Sequence, residues 1–206
     1  MNNIQLMIGY IAGALALLQV VPYLLSILRG HAKPERATYA IWSVINLLAT
    51  VSYIAVGART TIWVSLAYTL SSILIFALSF KFGMDGLNKF DIFCLVMAGA
   101  GIVIWLVTKD PALSLYYYIG VKFLGYLPTL RKAYNWPKTE NTLSWMMSAA
   151  ASLLNLLAIT SWTPQIAFYP IYGAIGDTLL AYVLVRAVFA GKKRSFKSRF
   201  AKLFEI

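Results

Sequence analysis

Two stretches of the sequence share a pattern that decides the fold: VVPYLLSILRGHAKPERATYAIW at residues 20–42 and YLPTLRKAYNWPKTENTLSW at residues 126–145. Each stretch has a proline near the end of an apolar run, and basic residues follow it. A second proline comes next, and a tryptophan, Trp42 or Trp145, lies eight residues after that proline. A pattern that occurs once in each half of a chain indicates an internal repeat.

The composition is that of an integral membrane protein. Hydrophobic residues make up 60% of the chain and charged residues 12%, with a mean hydropathy of +0.72. A soluble domain has about 25% charged residues because it needs a hydrated surface. The single cysteine cannot form an intramolecular disulfide. These values exclude a water-soluble globular domain, a disordered chain and a disulfide-stabilised scaffold.

Seven apolar stretches are long enough to cross a bilayer, which needs about 18 or more mostly apolar residues. The predicted spans are Ile4–Leu28, Tyr39–Val56, Ile62–Phe80, Ile92–Thr108, Ala112–Leu130, Leu143–Ser161 and Ile166–Val185. The sequence therefore predicts an all-α integral membrane fold with seven transmembrane helices.

Lysine and arginine are divided unequally between the two ends of these spans. One side, which includes the C-terminal tail, holds 15 of the 18 basic residues, the other holds 2, and Lys122 lies inside a span. The positive-inside rule then predicts an N-terminus outside and a C-terminus in the cytoplasm. Aromatic and leucine residues alternate with the basic residues of the tail, which favours contact with anionic lipids over binding to nucleic acid. The short loops favour a bacterial inner membrane.

The third and seventh spans also match between the two halves. Ser72 lies nine residues before Lys81, and Asp177 lies nine residues before Arg186. Because three spans reverse the side of the chain, a parallel duplicate needs one extra crossing, which the fourth span supplies. The predicted divisions are a first three-helix bundle at residues 1–86, a linker helix at 87–110, a second three-helix bundle at 111–190 and a basic cytoplasmic tail at 191–206.

Two charged residues lie inside the predicted spans, Lys122 near the centre of the fifth and Asp177 near the centre of the seventh. A charge at the bilayer centre costs about 2.5–3.5 kcal/mol on insertion scales. Both helices run in the same direction, so residue counting places both charges at a similar depth. We expect them to lie within pairing distance or to face one water-filled cavity. They either lock the bundle as an ion pair or line a substrate or proton path.

Tryptophan and proline carry two further interpretations. Trp42 and Trp145 open the second and sixth spans near the cytoplasmic interface, where an aromatic belt is common. Pro22 and Pro128 are predicted to kink their helices because proline removes a backbone hydrogen bond.

Three uncharged polar residues within the spans are candidates for contacts with a substrate or with a neighbouring helix. Asn46 lies one turn deeper than Trp42 on the same helical face, Asn155 lies in the sixth span, and Gln19 lies three residues before Pro22.

The arrangement of three helices, one helix and three helices, with an outside N-terminus, resembles the PQ-loop superfamily. This group includes the MtN3/saliva sugar transporters called SWEETs, with nicotinamide riboside uptake proteins as more distant relatives. The resemblance covers residues from about 4 to 190 and includes the late proline and the opening tryptophan of each repeat. At the two repeat prolines the Pro-Gln pair itself is absent, since Pro22 is followed by Tyr23 and Pro128 by Thr129.

The resemblance implies a carrier that works by alternating access around a midplane site. It implies that Ser72 and Asp177 face each other across that site, and that Trp42 and Trp145 close it from the inner side. It also implies that the two prolines act as hinges. An acidic residue at the position of Asp177 favours a cationic or zwitterionic substrate, or proton coupling, over a neutral sugar.

No enzyme, cofactor or metal chemistry is indicated by the sequence. It has no HExxH, GxSxG or phosphate-binding glycine loop, and it contains one histidine and one cysteine. The expected partner is a small-molecule substrate such as a sugar, a vitamin or nucleoside, or an amino acid. Proton coupling and a homo-oligomeric state stay open. The alternative to a carrier is a membrane receptor or scaffold of the same fold that does not transport.

Overall fold

The computed structural model describes residues 3–30, 34, 36–83, 89–135, 137 and 140–203, and these residues contain helices and no strands. The predicted all-α class is confirmed. The helices in this part of the chain are α1 (Asn3–Leu18), α2 (Val20–Leu28), α3 (Arg36–Ala55), α4 (Ile62–Phe82), α5 (Lys89–Thr108), α6 (Pro111–Asn135), α7 (Thr142–Leu157) and α8 (Pro164–Leu203).

The first predicted span is divided into two helices at Gln19, three residues before Pro22. Proline has no backbone N–H to donate to the carbonyl of Leu18, four residues earlier, and its ring crowds that carbonyl. The division lies where the sequence predicts a kink. In the second half, α6 continues through position 128, and the side chain of Pro128 lies outside the described residues.

Each half of the chain contains one helix that packs against both of its partners. In the first half α4 contacts α1 and α3, and in the second half α8 contacts α6 and α7. Between the halves, α1 packs against α7 and α3 packs against α6, while α5 lies against α6 and α3. Apart from the contacts of α5, these main contacts are the same in both halves when α1 corresponds to α6, α3 to α7 and α4 to α8.

Small residues allow α1 to approach α4 closely. A Cβ atom at Gly13 would lie 2.5 Å from Cβ of Trp63, and one at Gly9 would meet the carbonyl oxygen of Thr60. Because real side chains do not approach so closely, these positions need glycine. The GxxxG pair of the sequence therefore serves helix packing.

The described surface of the molecule is rich in large apolar side chains, and part of its interior is polar. Large apolar side chains face outward, among them Val107 at 75% and Ile175 at 65% exposure. Hydroxyl, amide and charged side chains are buried, including Thr50, Lys122 and Asp177. Burying polar groups is tolerated where they find partners within the protein.

Three helical segments are long and apolar enough to cross a membrane: Asn3–Leu28, Ile62–Phe82 and Pro164–Phe189. Shorter apolar helical stretches in the described residues are Tyr39–Ala55, Leu95–Thr108 and Thr142–Leu157.

The last helix extends well beyond the last predicted span. That span was predicted to end at Val185, whereas the α8 backbone is helical through Leu203, with Pro170 inside the helix. The side chains of residues 190–203, which make up most of the predicted basic tail, lie outside the described residues. Contact of the tail with anionic lipid stays a prediction.

Candidate functional site

Asp177 of α8 is the centre of a buried cluster of hydroxyl groups. Its side chain is 6% exposed, and three hydroxyls donate hydrogen bonds to its carboxylate. Tyr68 of α4 donates to Oδ2 at 2.7 Å, Ser152 of α7 to Oδ2 at 2.5 Å, and Tyr126 of α6 to Oδ1 at 2.5 Å. One carboxylate thus joins four helices that come from both halves of the chain.

Two glycines of α8 leave room for these donors. A Cβ atom at Gly176 would lie 3.2 Å from Cζ of Tyr126, and one at Gly173 would lie 3.2 Å from Oγ of Ser152. Both distances are tighter than ordinary van der Waals contact. The small residues beside Asp177 therefore allow Tyr126 and Ser152 to reach its carboxylate.

Lys122 of α6 is surrounded by tyrosines. Its side chain is 6% exposed, and Nζ donates a hydrogen bond to the hydroxyl of Tyr169 at 3.2 Å. The same nitrogen lies 4.8 Å from the ring centre of Tyr169, 5.8 Å from that of Tyr172 and 6.0 Å from that of Tyr68. Ring faces attract cations electrostatically, and the attraction grows when the cation is desolvated.

Lys122 and Asp177 are linked through Tyr68. The Tyr68 hydroxyl donates to Asp177 while its ring lies near the Lys122 ammonium. Among the described contacts the two charged side chains form no direct ion pair, so the pairing arrangement that the sequence allowed is not the one adopted. Whether both face a water-filled cavity stays a prediction.

Ser72 and Asn46 meet within the first half of the chain. Asn46 Nδ2 donates to Ser72 Oγ at 3.3 Å, and Ser72 Oγ donates to the carbonyl of Thr69 at 2.9 Å. The α4 residue that reaches Asp177 is Tyr68, one turn before Ser72. The described contact from α4 to Asp177 thus comes from Tyr68, whose long side chain spans the distance between the helices. That Ser72 and Asp177 face each other across a site stays a prediction.

Trp145 is connected to the cluster, and Trp42 is half-buried on α3. The Trp145 indole Nε1 donates to Glu140 at 3.2 Å, and its ring packs edge-to-face on Tyr126 with 6.0 Å between centres. Trp145 therefore supports one of the three donors to Asp177.

The remaining predicted residues occupy different places. Asn155 is 1% exposed on α7, one turn from Ser152, and its Oδ1 has no described hydrogen-bond partner. Gln19 is half-buried at the junction of α1 and α2, and Pro22 is half-buried inside α2.

A second set of contacts joins the two halves at the end of the molecule where α3 meets α4. The Tyr53 hydroxyl donates to the carbonyl of Ile166 at 2.7 Å, and Thr60 Oγ1 donates to the carbonyl of Ala158 at 2.6 Å. The Tyr53 ring stacks on Tyr169 with 5.0 Å between centres. This end is thereby coupled to the tyrosine that accepts the hydrogen bond from Lys122.

The candidates predicted from the sequence do not include the four tyrosines and the serine that surround the two charges. These residues are Tyr68, Tyr126, Tyr169, Tyr172 and Ser152. A signal was available, because Tyr126 lies four residues after Lys122 and Tyr68 lies four residues before Ser72, spacings that place each pair on one helical face. Without such a spacing, a tyrosine within an apolar stretch is normally interpreted as a residue that packs against its neighbours.

The site is suited to the recognition of charge and hydrogen-bonding groups. It combines one carboxylate, one ammonium and several hydroxyls in surroundings where electrostatic interactions are strong. Within the described residues there is no group of three or more histidine, cysteine, aspartate or glutamate side chains that could hold a metal ion.

No protein-family model matches the chain, and no significant similarity is found to a curated protein or to a solved structure.

Proposed function

We propose that the chain is a SWEET-like membrane carrier that moves a small polar metabolite by alternating access around the Asp177 cluster. The observation that carries this proposal is that the carboxylate is buried and held by donors from both halves of the chain. A site at the interface of two repeats, near the middle of the helices, is the arrangement that repeat-based transporters use.

Membrane insertion is supported by the surface and by the lengths of the helices. The outward side chains are apolar, and three segments are long enough to cross a bilayer. Buried ionisable residues inside such helices are costly and usually functional. The proposed setting is a bacterial inner membrane, with the N-terminus outside and the C-terminus in the cytoplasm.

The symmetric helix contacts support the proposed repeat. If α1 with α2, α3 and α4 form one bundle and α6, α7 and α8 the other, α5 is the crossing between two parallel copies. The halves then meet through α1 with α7 and through α3 with α6. Rocking one bundle against the other would open the Asp177 cluster to one side at a time.

The alternative is a membrane receptor or scaffold that binds without transport. The hydrogen bonds of Asp177 to both halves also favour this alternative, because a carboxylate that links four helices locks them together. The two functions differ in whether the cluster is reached from both sides of the membrane.

Cysteine labelling in oriented vesicles distinguishes these functions. Cys94 is first replaced by serine, and a cysteine is then placed at Ser152, beside Asp177, or at Leu153, on the apolar outward face of the same helix. A carrier is expected to be labelled at position 152 by a membrane-impermeant reagent from either side. The matched control at position 153 is expected to stay unlabelled because lipid covers it.

Labelling of position 152 from one side only, under all ligand and pH conditions, would contradict the carrier and favour the receptor or scaffold. Equal labelling of both positions from both sides would contradict membrane burial of α7 altogether.

A further inference from the structure

Two hydrogen-bond donors in the cluster have unused capacity. A lysine ammonium has three N–H groups, and Lys122 uses one of them, toward Tyr169, among the described contacts. The hydroxyl of Tyr172, whose ring centre lies 5.8 Å from the same Nζ, is buried without a described hydrogen-bond partner. A buried donor without a partner costs free energy. These two groups together can receive an anionic group such as a carboxylate.

Acceptors with unused capacity lie next to them. Asp177 accepts three hydrogen bonds on two oxygens, whereas a carboxylate offers about four acceptor positions. Asn155 Oδ1, one turn along α7 from Ser152, is buried without a described partner. The hydroxyl oxygens of Tyr68 and Tyr126, which donate to Asp177, keep lone pairs that can accept a further hydrogen bond. These groups together can receive an ammonium.

The two charges are opposite, close to the same tyrosine, and not joined directly. A buried charge is stabilised best by a partner charge with good geometry. A ligand with both a cationic and an anionic group would supply each buried charge with a partner. A ligand with only one charge would leave the other protein charge beside a group of like sign or without a partner.

We propose that this site binds a small zwitterion that carries an ammonium and a carboxylate. The inference rests on the proposed carrier function and names the substrate class of the same site. The ligand carboxylate lies toward Lys122 and the Tyr172 hydroxyl. Its ammonium lies toward Asp177 and Asn155 Oδ1. A neutral polyol fits less well, since it neutralises neither protein charge.

Thermal unfolding of the purified full chain in detergent tests the proposal. The probes are the common amino acids, and each one that stabilises the protein is compared with its decarboxylated amine and its deaminated acid. A ligand at a hundredfold excess over its Kd is expected to raise the Tm by roughly 5–10 °C for a chain of this size. We expect this Tm shift from at least one intact amino acid, and a much smaller Tm shift from its decarboxylated amine and from its deaminated acid.

Tyr172→Phe is the sharpest variant because it removes only a hydroxyl that has no described partner. Without ligand, its Tm is expected to equal or exceed that of the wild type. Its affinity for the amino acid is expected to be roughly 10- to 100-fold weaker, as for a lost hydrogen bond to a charged group. A purely structural tyrosine would not change ligand affinity.

Tyr118→Phe is the matched control. Tyr118 also has a buried hydroxyl without a described partner, but its ring packs on Tyr117 and near Gly101, and the ring contacts described for Lys122 are with other tyrosines. Its affinity for the amino acid is expected to match the wild type. Equal losses in Tyr172→Phe and Tyr118→Phe would overturn the assignment of the carboxylate position.

Two further outcomes overturn the zwitterion proposal. In the first, the decarboxylated amine or the deaminated acid raises the Tm by at least half as much as the intact amino acid does. In the second, no amino acid raises the Tm. The carrier function survives either outcome when position 152 is still labelled from both sides of the vesicle. One-sided labelling removes the carrier function even where a zwitterion binds.

Discussion

Three hydroxyl groups hold the Asp177 carboxylate, and each comes from a different helix. Neutral donors stabilise the negative charge without adding a positive charge beside it. The only other charge in the cluster, among the described residues, is Lys122, which contacts Asp177 through Tyr68. At the scale of single residues, the site is therefore a set of hydrogen bonds whose geometry depends on helix positions.

Ser152→Ala is predicted to destabilise the protein by about 1–3 kcal/mol, because it removes one donor to a buried carboxylate. The measurement is the free energy of unfolding in detergent, or the change in Tm where unfolding is irreversible. Ser144→Ala is the matched control on the same helix, since Ser144 Oγ is buried without a described partner. Similar losses in both variants would show that the effect comes from packing on α7 and not from the carboxylate.

Helix contacts at the scale of elements depend on small residues at defined positions. Gly9 and Gly13 bring α1 against α4, and Gly173 and Gly176 open α8 to the donors of Asp177. The first pair positions the helix that carries Tyr68, and the second pair positions the helix that carries Asp177. Helix packing and site geometry are consequently linked.

Gly13→Ala is predicted to lower the free energy of unfolding by about 1–3 kcal/mol, the usual cost of overpacking. The added Cβ would lie 2.5 Å from Cβ of Trp63, so one helix must shift. Gly99→Ala is the control, because nothing lies within 4 Å of a Cβ at that position. There the higher helix propensity of alanine should leave stability unchanged or raise it by up to about 1 kcal/mol. Thermal unfolding of both variants decides the matter, and an undiminished Tm for Gly13→Ala would contradict close packing of α1 on α4.

The whole molecule joins its two halves at two levels, the Asp177 cluster and the contacts of Tyr53 and Thr60 with the second half. The two charges belong to the second half, whereas Tyr68, the residue that contacts both, belongs to the first. The energetic coupling between Lys122 and Asp177 therefore depends on the position of the first half relative to the second.

Asp177→Asn and Lys122→Met are each predicted to impair transport or stability, and the double variant is predicted to recover part of the stability. Removal of one buried charge leaves the other without compensation, whereas removal of both avoids that cost. A double-mutant cycle of unfolding free energies measures the coupling. A double variant no more stable than the worse single variant would disprove coupling between the two charges. Repeating the cycle with Tyr68→Leu tests the role of Tyr68, since the coupling should then decrease.

The helical class and the burial of Lys122 and Asp177 could be predicted from the sequence, because charges inside apolar runs must lie within the protein. The interruption at Gln19 follows from Pro22 in the same way. The tyrosine shell could be predicted only in part, because spacing places Tyr126 on the helical face of Lys122 and Tyr68 on that of Ser72 but does not give the helix that each face meets. The repeat alignment and the resemblance place Ser72 opposite Asp177, whereas the longer Tyr68 side chain, one turn away, makes the described contact. The end of α8 was also missed, since a basic amphipathic sequence can continue a helix that an apolar span has begun.

The position of Tyr68 in the first half has a consequence for biosynthesis. A chain is made from its N-terminus, so α4 would already be in the bilayer when α6 and α8 leave the ribosome. In the proposed membrane setting, Lys122 and Asp177, whose charges are costly to insert, would then enter the bilayer beside the ring face and the hydroxyl of Tyr68. In that setting the N-terminal half would serve as an insertion template for the C-terminal half. A second half made alone would lack that template, and co-expression of the two halves should rescue its insertion.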